Sequence, residues 1–123
     1  MSSAPNCRFC LSYTLLVDEP LAISESFYLL GSIDPARPAQ AIVVPLRHVE
    51  TPFELTSQEW SAIGEMLERA KEHLSVAAPA GYTVGWNVGA VAGQEIFHAH
   101  MHVIARFNGE ESAGNGLHAA LKA

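Results

Sequence analysis

Apolar residues recur along this chain with two different periods. Between residues 57 and 77, Trp60, Ile63, Leu67, Ala70 and Leu74 return at steps of three and four, one stripe of an amphipathic helix. Glu59, Glu65, Glu68, Arg69 and Glu72 fall to the wet side. Thr56 and Glu59 stand at capping-box spacing, so a hydroxyl and a carboxylate can satisfy N–H groups that the first turn leaves over. The stretch Ala78-Pro79-Ala80-Gly81 stops the helix.

Elsewhere the apolar residues come in short runs or alternate, which predicts strands over Leu15–Val17, Leu21–Ser24, Phe27–Ile33, Ala39–Leu46, Tyr82–Val88 and Phe97–Phe107. Asp18-Glu19-Pro20 and Asp34-Pro35-Ala36-Arg37-Pro38 are turn signals between them. Short links favour antiparallel pairing. Strands, one helix and further strands in so short a chain predict an α+β fold. The tail from 108 to 123 carries a Gly-Asn-Gly step and a short helix pattern over Leu117–Leu121.

Composition narrows the class. A chain of 123 residues with 49% apolar residues fits one domain, 1–123, with its core over about 7–107. Two cysteines are too few for a disulfide scaffold. The formal net charge of −6 argues against coating a nucleic acid polymer or docking on an anionic membrane. No apolar run approaches the roughly 20 residues of a membrane span, and no secretory signal pattern opens the chain. The expectation is a cytoplasmic protein. In a reducing compartment, Cys7-x-x-Cys10 points to metal or redox chemistry more than to a structural disulfide.

The most informative segment is Phe97-His98-Ala99-His100-Met101-His102-Val103-Ile104. On a strand with a rise of about 3.3 Å per residue, the three histidines share one face and Ala99, Met101 and Val103 take the other. A half-exposed strand that happens to use His is the plain alternative. Three imidazoles in perfect alternation instead offer a nucleophile, metal ligands or phosphate donors at neutral pH. Just upstream, Asn87-Val88-Gly89-Ala90-Val91-Ala92-Gly93-Gln94 joins two strands. Its small residues suit a backbone cradle for an anion, although most such loops are only turns.

Gly93-Gln94 followed by His98-x-His100-x-His102-x-Ile104-x-Arg106 resembles the histidine triad (HIT) superfamily of nucleotide hydrolases and transferases. Ile33-Asp34-Pro35 through Val43-Val44-Pro45-Leu46-Arg47-His48 resembles the family's central hairpin. The resemblance covers about residues 7 to 107. It implies a five-stranded antiparallel sheet with one long and one shorter helix, assembled as a homodimer. It implies that His100 attacks the α-phosphorus of a nucleotide conjugate to form a nucleotidyl-histidine. His102 would hold phosphate oxygen, and Gln94 and Asn87 would orient phosphate or leaving group. Leu30, Ser32, Ile33, Gly93 and Glu95 would line the nucleotide site.

Cys7-Arg8-Phe9-Cys10 resembles the zinc-binding branch of that family. There Cys7, Cys10, His48 and His98 would hold a structural Zn²⁺, four protein ligands leaving no open position. Some positions depart from the family pattern. Ser32 replaces an acidic ribose contact, Gln40 a histidine and Ala105 a proline. Glu95 stands where Ser or Thr is common and favours an amine leaving group. Arg47 and Arg106 read first as solvated charges and second as phosphate ligands. Two other functions compete: a non-catalytic nucleotide-binding module, and a metal-dependent hydrolase with His98, His100 and His102 as ligands.

Overall fold

The two periods of the sequence become one sheet and one helix. The computed structural model describes residues 7–11, 19–31 and 39–116. Among these, β1 (Ala22–Ile23), β2 (Phe27–Gly31), β3 (Gln40–Pro45), β4 (Gly81–Trp86) and β5 (Met101–Arg106) form one antiparallel sheet in the order β1-β2-β3-β5-β4. The helix α1 (Ser57–Leu74) lies between β3 and β4 in sequence. The expected strand over 15–17, the tail helix over 117–121, and Ser32 and Ile33 lie outside the described residues.

The helix begins as its capping box dictates. Thr56 Oγ1 accepts from the Glu59 N–H at 3.1 Å, and Glu59 Oε1 accepts from the Thr56 N–H at 2.8 Å. Its last expected turn, Ser75–Ala77, tightens into a 3-10 turn, and Ala78 at φ 53° ends it. Two side-chain expectations fail. Glu59 is not on the wet side: it is buried, because Arg47 reaches it from the end of β3 with Nη2 at 2.8 Å from Oε1. Trp60 is 45% exposed and packs edge-on against Trp86 at 6.2 Å, whereas Met66, absent from the expected stripe, is fully buried.

Strand alternation divides the sheet between two apolar layers. Phe27, Leu29, Ala41, Val43, Met101, Val103 and Ala105 face α1 and pack on Met66, Ala70 and Leu74. Tyr28, Leu30, Ile42 and Val44 face the other way and are covered by Phe9. The register sets Ile42 opposite His102, which puts the histidines on this second face. The strand expected over Phe97–Phe107 pairs only from Met101. Before it, the Ala99 N–H donates to the Val49 carbonyl at 2.7 Å, and that segment follows the chain after β3 rather than the sheet.

Candidate functional site

The N-terminal arm meets the sheet through a knuckle. The Cys10 N–H donates to the Cys7 carbonyl at 3.3 Å, a tight turn that brings both sulfurs to one side. Phe9, between them, points inward and is buried. Its carbonyl accepts from the buried Tyr28 hydroxyl at 2.7 Å. Tyr28 thereby ties the knuckle to β2, a role for which the sequence carries no local signal.

Two histidines face the knuckle. His48 follows β3, and His98 precedes β5. Cys7 Sγ lies 3.4 Å from His98 Nδ1, Cys10 Sγ 3.3 Å from His48 Nδ1 and 3.5 Å from His98 Nδ1, and the two Nδ1 atoms are 3.2 Å apart. All four ligand atoms lie within 4.8 Å of one another. A tetrahedral ion with nitrogen at about 2.0–2.1 Å and sulfur at about 2.3 Å has N···N edges of about 3.3 Å and N···S edges of about 3.5 Å. The donor set and its edges therefore fit one metal ion.

His98 is prepared for that role. Its Nε2–H donates to the Pro45 carbonyl at 2.7 Å, which leaves the Nδ1 lone pair toward the cysteines. Burial pushes its pKa down to about 4, against the pull of that hydrogen bond and with help from His48 and His100, so the ring is neutral at pH 7.

His100 and His102 stand apart from this cluster. The His100 Nδ1–H donates to the backbone carbonyl of His98 at 2.9 Å, which puts the remaining lone pair on Nε2. Burial lowers its pKa below the ordinary histidine value, and the His98 carbonyl opposes the shift. Phe9 abuts the His100 ring edge-on at 5.0 Å, and the His102 ring lies 4.8 Å from it. The pair is thus a partly buried row of two imidazoles, while the His98 ring is diverted to the sulfurs. Among the described residues, the group able to hold a metal is Cys7, Cys10, His48 and His98, not the three alternating histidines.

The loop from 87 to 96 is braced by its own backbone and by the segment after β3. Gly89 at φ 86° and Gly93 at φ 100° take left-handed conformations that favour glycine. The Ala92 and Gln94 N–H groups donate to the Gly89 carbonyl, and the Gly93 N–H to the Ala90 carbonyl. Gln94 is buried. Its Oε1 accepts from the Gly89 N–H at 2.8 Å, and its Nε2 donates to the Glu50 and Ile96 carbonyls at 2.8 and 3.1 Å. These N–H groups serve the loop rather than an open anion cradle. Asn87, Gly93 and Glu95 are exposed along it. Leu30 is buried among Phe9, Tyr28, Ile42 and Val44, as core.

The two arginines are neither solvated charges nor open phosphate ligands. Arg47 holds Glu59 and donates to the Glu54 carbonyl. Arg106 donates to Glu110, Thr83 Oγ1 and the Ser112 and Asn115 carbonyls, clasping the segment after β5 to the sheet. Neither pairing shows in the sequence, since nothing local marks which arginine folds back on its own chain.

The family model described as HIT domain matches residues 21–109. An uncharacterized HIT-like protein of Methanocaldococcus jannaschii is 33% identical over 78 residues, 63% of this chain and 60% of that protein. An AP-4-A phosphorylase of Mycobacterium tuberculosis is 32% identical over 113 residues, 89% of this chain and 58% of that protein. The chain therefore spans about three fifths of the length of these two relatives. The crystal structure of a HIT family protein from Bacillus anthracis superposes with a TM-score of 0.78 at 25% identity, covering 92% of this chain and 82% of that one.

Proposed function

The chain belongs to the HIT domain family, and on that premise we propose that it is a nucleotide hydrolase or transferase acting at the α-phosphate of a nucleotide conjugate. One observation carries the reading: His100 donates its Nδ1 proton to the His98 carbonyl and is held neutral by burial. A neutral imidazole with its lone pair on Nε2 is a nucleophile ready at pH 7.

In this reading His100 Nε2 attacks the α-phosphorus, and a P–N bond forms as the bond to the leaving group breaks. The leaving group departs with a proton taken from solvent. Water then attacks phosphorus and returns a proton to solvent, the P–N bond breaks, and His100 returns to its neutral form. His102, adjacent to His100, holds a phosphoryl oxygen and offsets charge that grows in the transition state. Gln94 keeps the approach loop in shape, which leaves Asn87, Gly93 and Glu95 as the loop residues facing substrate. The substrate class is an adenosine phosphoramidate or a dinucleoside polyphosphate. The AP-4-A phosphorylase similarity supports the second, and the Glu95 carboxylate suits the amine leaving group of the first.

Cys7, Cys10, His48 and His98 would hold Zn²⁺. With four protein ligands its chemistry is structural: it closes the N-terminal arm onto the sheet. A homodimer is the proposed working unit, supported by the edge position of β4 and by the exposed apolar side chains of Val84 and Trp60 beside it. No helix among the described residues is long and apolar enough to cross a membrane.

The test is a substrate panel of adenosine phosphoramidates, dinucleoside polyphosphates and nucleotide sugars, with His100→Ala as control. We expect turnover of one class by the wild-type protein, a phosphorus-linked His100 on rapid quenching, and loss of at least about a thousandfold in kcat for the variant. Binding of nucleotides without turnover would instead support a non-catalytic module. Near-normal hydrolysis by His100→Ala would remove the assigned nucleophile.

A further inference from the structure

His102 has a polar neighbour that the reaction scheme above does not use. Gln40, the first residue of β3, is buried, with 9% of its surface exposed. The register pairs Gln40 with Ile104 and Ile42 with His102, so Gln40 and His102 lie diagonally on one face of adjacent strands. Gln40 Nε2 is 3.3 Å from His102 Nδ1.

We propose that Gln40 is a positioning residue that holds His102 in the tautomer carrying its proton on Nε2. An amide N–H can bond to a ring nitrogen only where that nitrogen is unprotonated, so an accepting Nδ1 sends the proton of the neutral ring to Nε2. Glutamine has no charge to gain or lose, so the bond persists wherever the ring is neutral. The proposal rests on the reading of His102 as the donor to a phosphoryl oxygen, because that donor must be a ring N–H other than the one facing Gln40. His100 and His102 are then fixed in opposite tautomers by two different partners. His100 carries its proton on Nδ1, facing a carbonyl, and attacks through Nε2. His102 carries its proton on Nε2 and donates through it. One row of two like side chains thereby supplies one nucleophile and one hydrogen-bond donor.

The experiment is ¹⁵N correlation spectroscopy of the histidine rings at about pH 8, on the purified full chain as isolated, for the wild-type protein, Gln40→Glu and Gln40→Leu. We expect the wild-type His102 to show an unprotonated Nδ1 and a protonated Nε2. Gln40→Glu should move the proton to Nδ1, since a carboxylate only accepts. Gln40→Leu should give a mixture of tautomers, with kcat lower by about tenfold, the scale for losing a partner that orients a working imidazole, and KM changed by less than about twofold. A wild-type His102 protonated on Nδ1, or identical His102 ring shifts in all three proteins, would overturn the proposal whatever the rates. If the wild-type protein turns over no nucleotide conjugate, the proposed function fails, while the ring shifts still decide the part played by Gln40.

Discussion

The backbone carbonyl of His98 accepts the Nδ1 proton of His100 at 2.9 Å, while the His98 ring completes a cluster with Cys7, Cys10 and His48. One residue therefore serves two sites, its side chain the cluster and its main chain the neighbouring imidazole. Anything that lets the His98 ring go also loosens the group that sets the tautomer of His100.

The proposed metal site is measurable through stability. Protein purified without chelator should contain close to one zinc per chain, and Cys10→Ser should contain close to none. An ion bound a hundredfold above its Kd stabilises the fold by about 3 kcal/mol, so chelation or Cys10→Ser should lower Tm by roughly 10 °C. Elemental analysis with a thermal melt checks both. A metal-free wild-type protein that melts at the same temperature as the loaded one would remove the structural role of the cluster.

The partly buried pair Arg47–Glu59 predicts a pH dependence with a definite sign. The hydrogen bond from Arg47 holds the Glu59 carboxyl below its ordinary range, against the effect of burial. A carboxylate whose pKa falls on folding adds stability above its unfolded value, about 4.3, and loses it as pH drops through the folded value. Gln at position 59 can still accept from the Thr56 N–H, so Glu59→Gln removes the charge and keeps the cap. Its melting deficit against wild type should be clear at pH 7 and shrink below about pH 4. A deficit constant over that range would show that the charge contributes nothing.

Met66 is fully buried under the sheet, between β2, β3 and β5 and the rest of α1. Met66→Ala should cost about 2–5 kcal/mol in urea unfolding, the range for truncating a large core side chain. Trp60→Ala, at a site that is 45% exposed, should cost less in the same measurement. Equal costs would mean that the apolar stripe runs through Trp60 after all.

Gly93 has φ 100°, and a Cβ there would meet only Asn87, at 3.7 Å. Space therefore permits Gly93→Ala, but the backbone does not favour it, at a cost of about 1–3 kcal/mol. That cost should lower Tm by several degrees, and because Gly93 shapes the loop proposed to face substrate, hydrolysis should also fall at temperatures well below Tm. An alanine variant with wild-type kcat/KM would show that the loop shape is not needed for turnover.

The sequence alone determined those features whose physics is local. The capping box at Thr56 and Glu59, the helix it opens, and the alternation of Met101, Val103 and Ala105 against His102 and Ile104 all depend on residues a few positions apart. The histidine row and the Cys-x-x-Cys were legible for the same reason, being short patterns of rare residue types. That the cysteines, His48 and His98 belong together came from family resemblance, since positions 7 and 98 are far apart along the chain and spacing says nothing about their distance. The tertiary structure supplied the geometry behind that division of the histidines. The chain bends over residues 96–98, Ala99 is tied to the Val49 carbonyl, and the His98 ring there meets the sulfurs. Tertiary contacts likewise drew Glu59 inward to Arg47, left Trp60 outside on Trp86, and engaged the amide of Gln94 with the Glu50 carbonyl. In each case a charge, a ring or an amide found its partner across the fold, and such a pairing is fixed by strand register and packing, which no local pattern encodes.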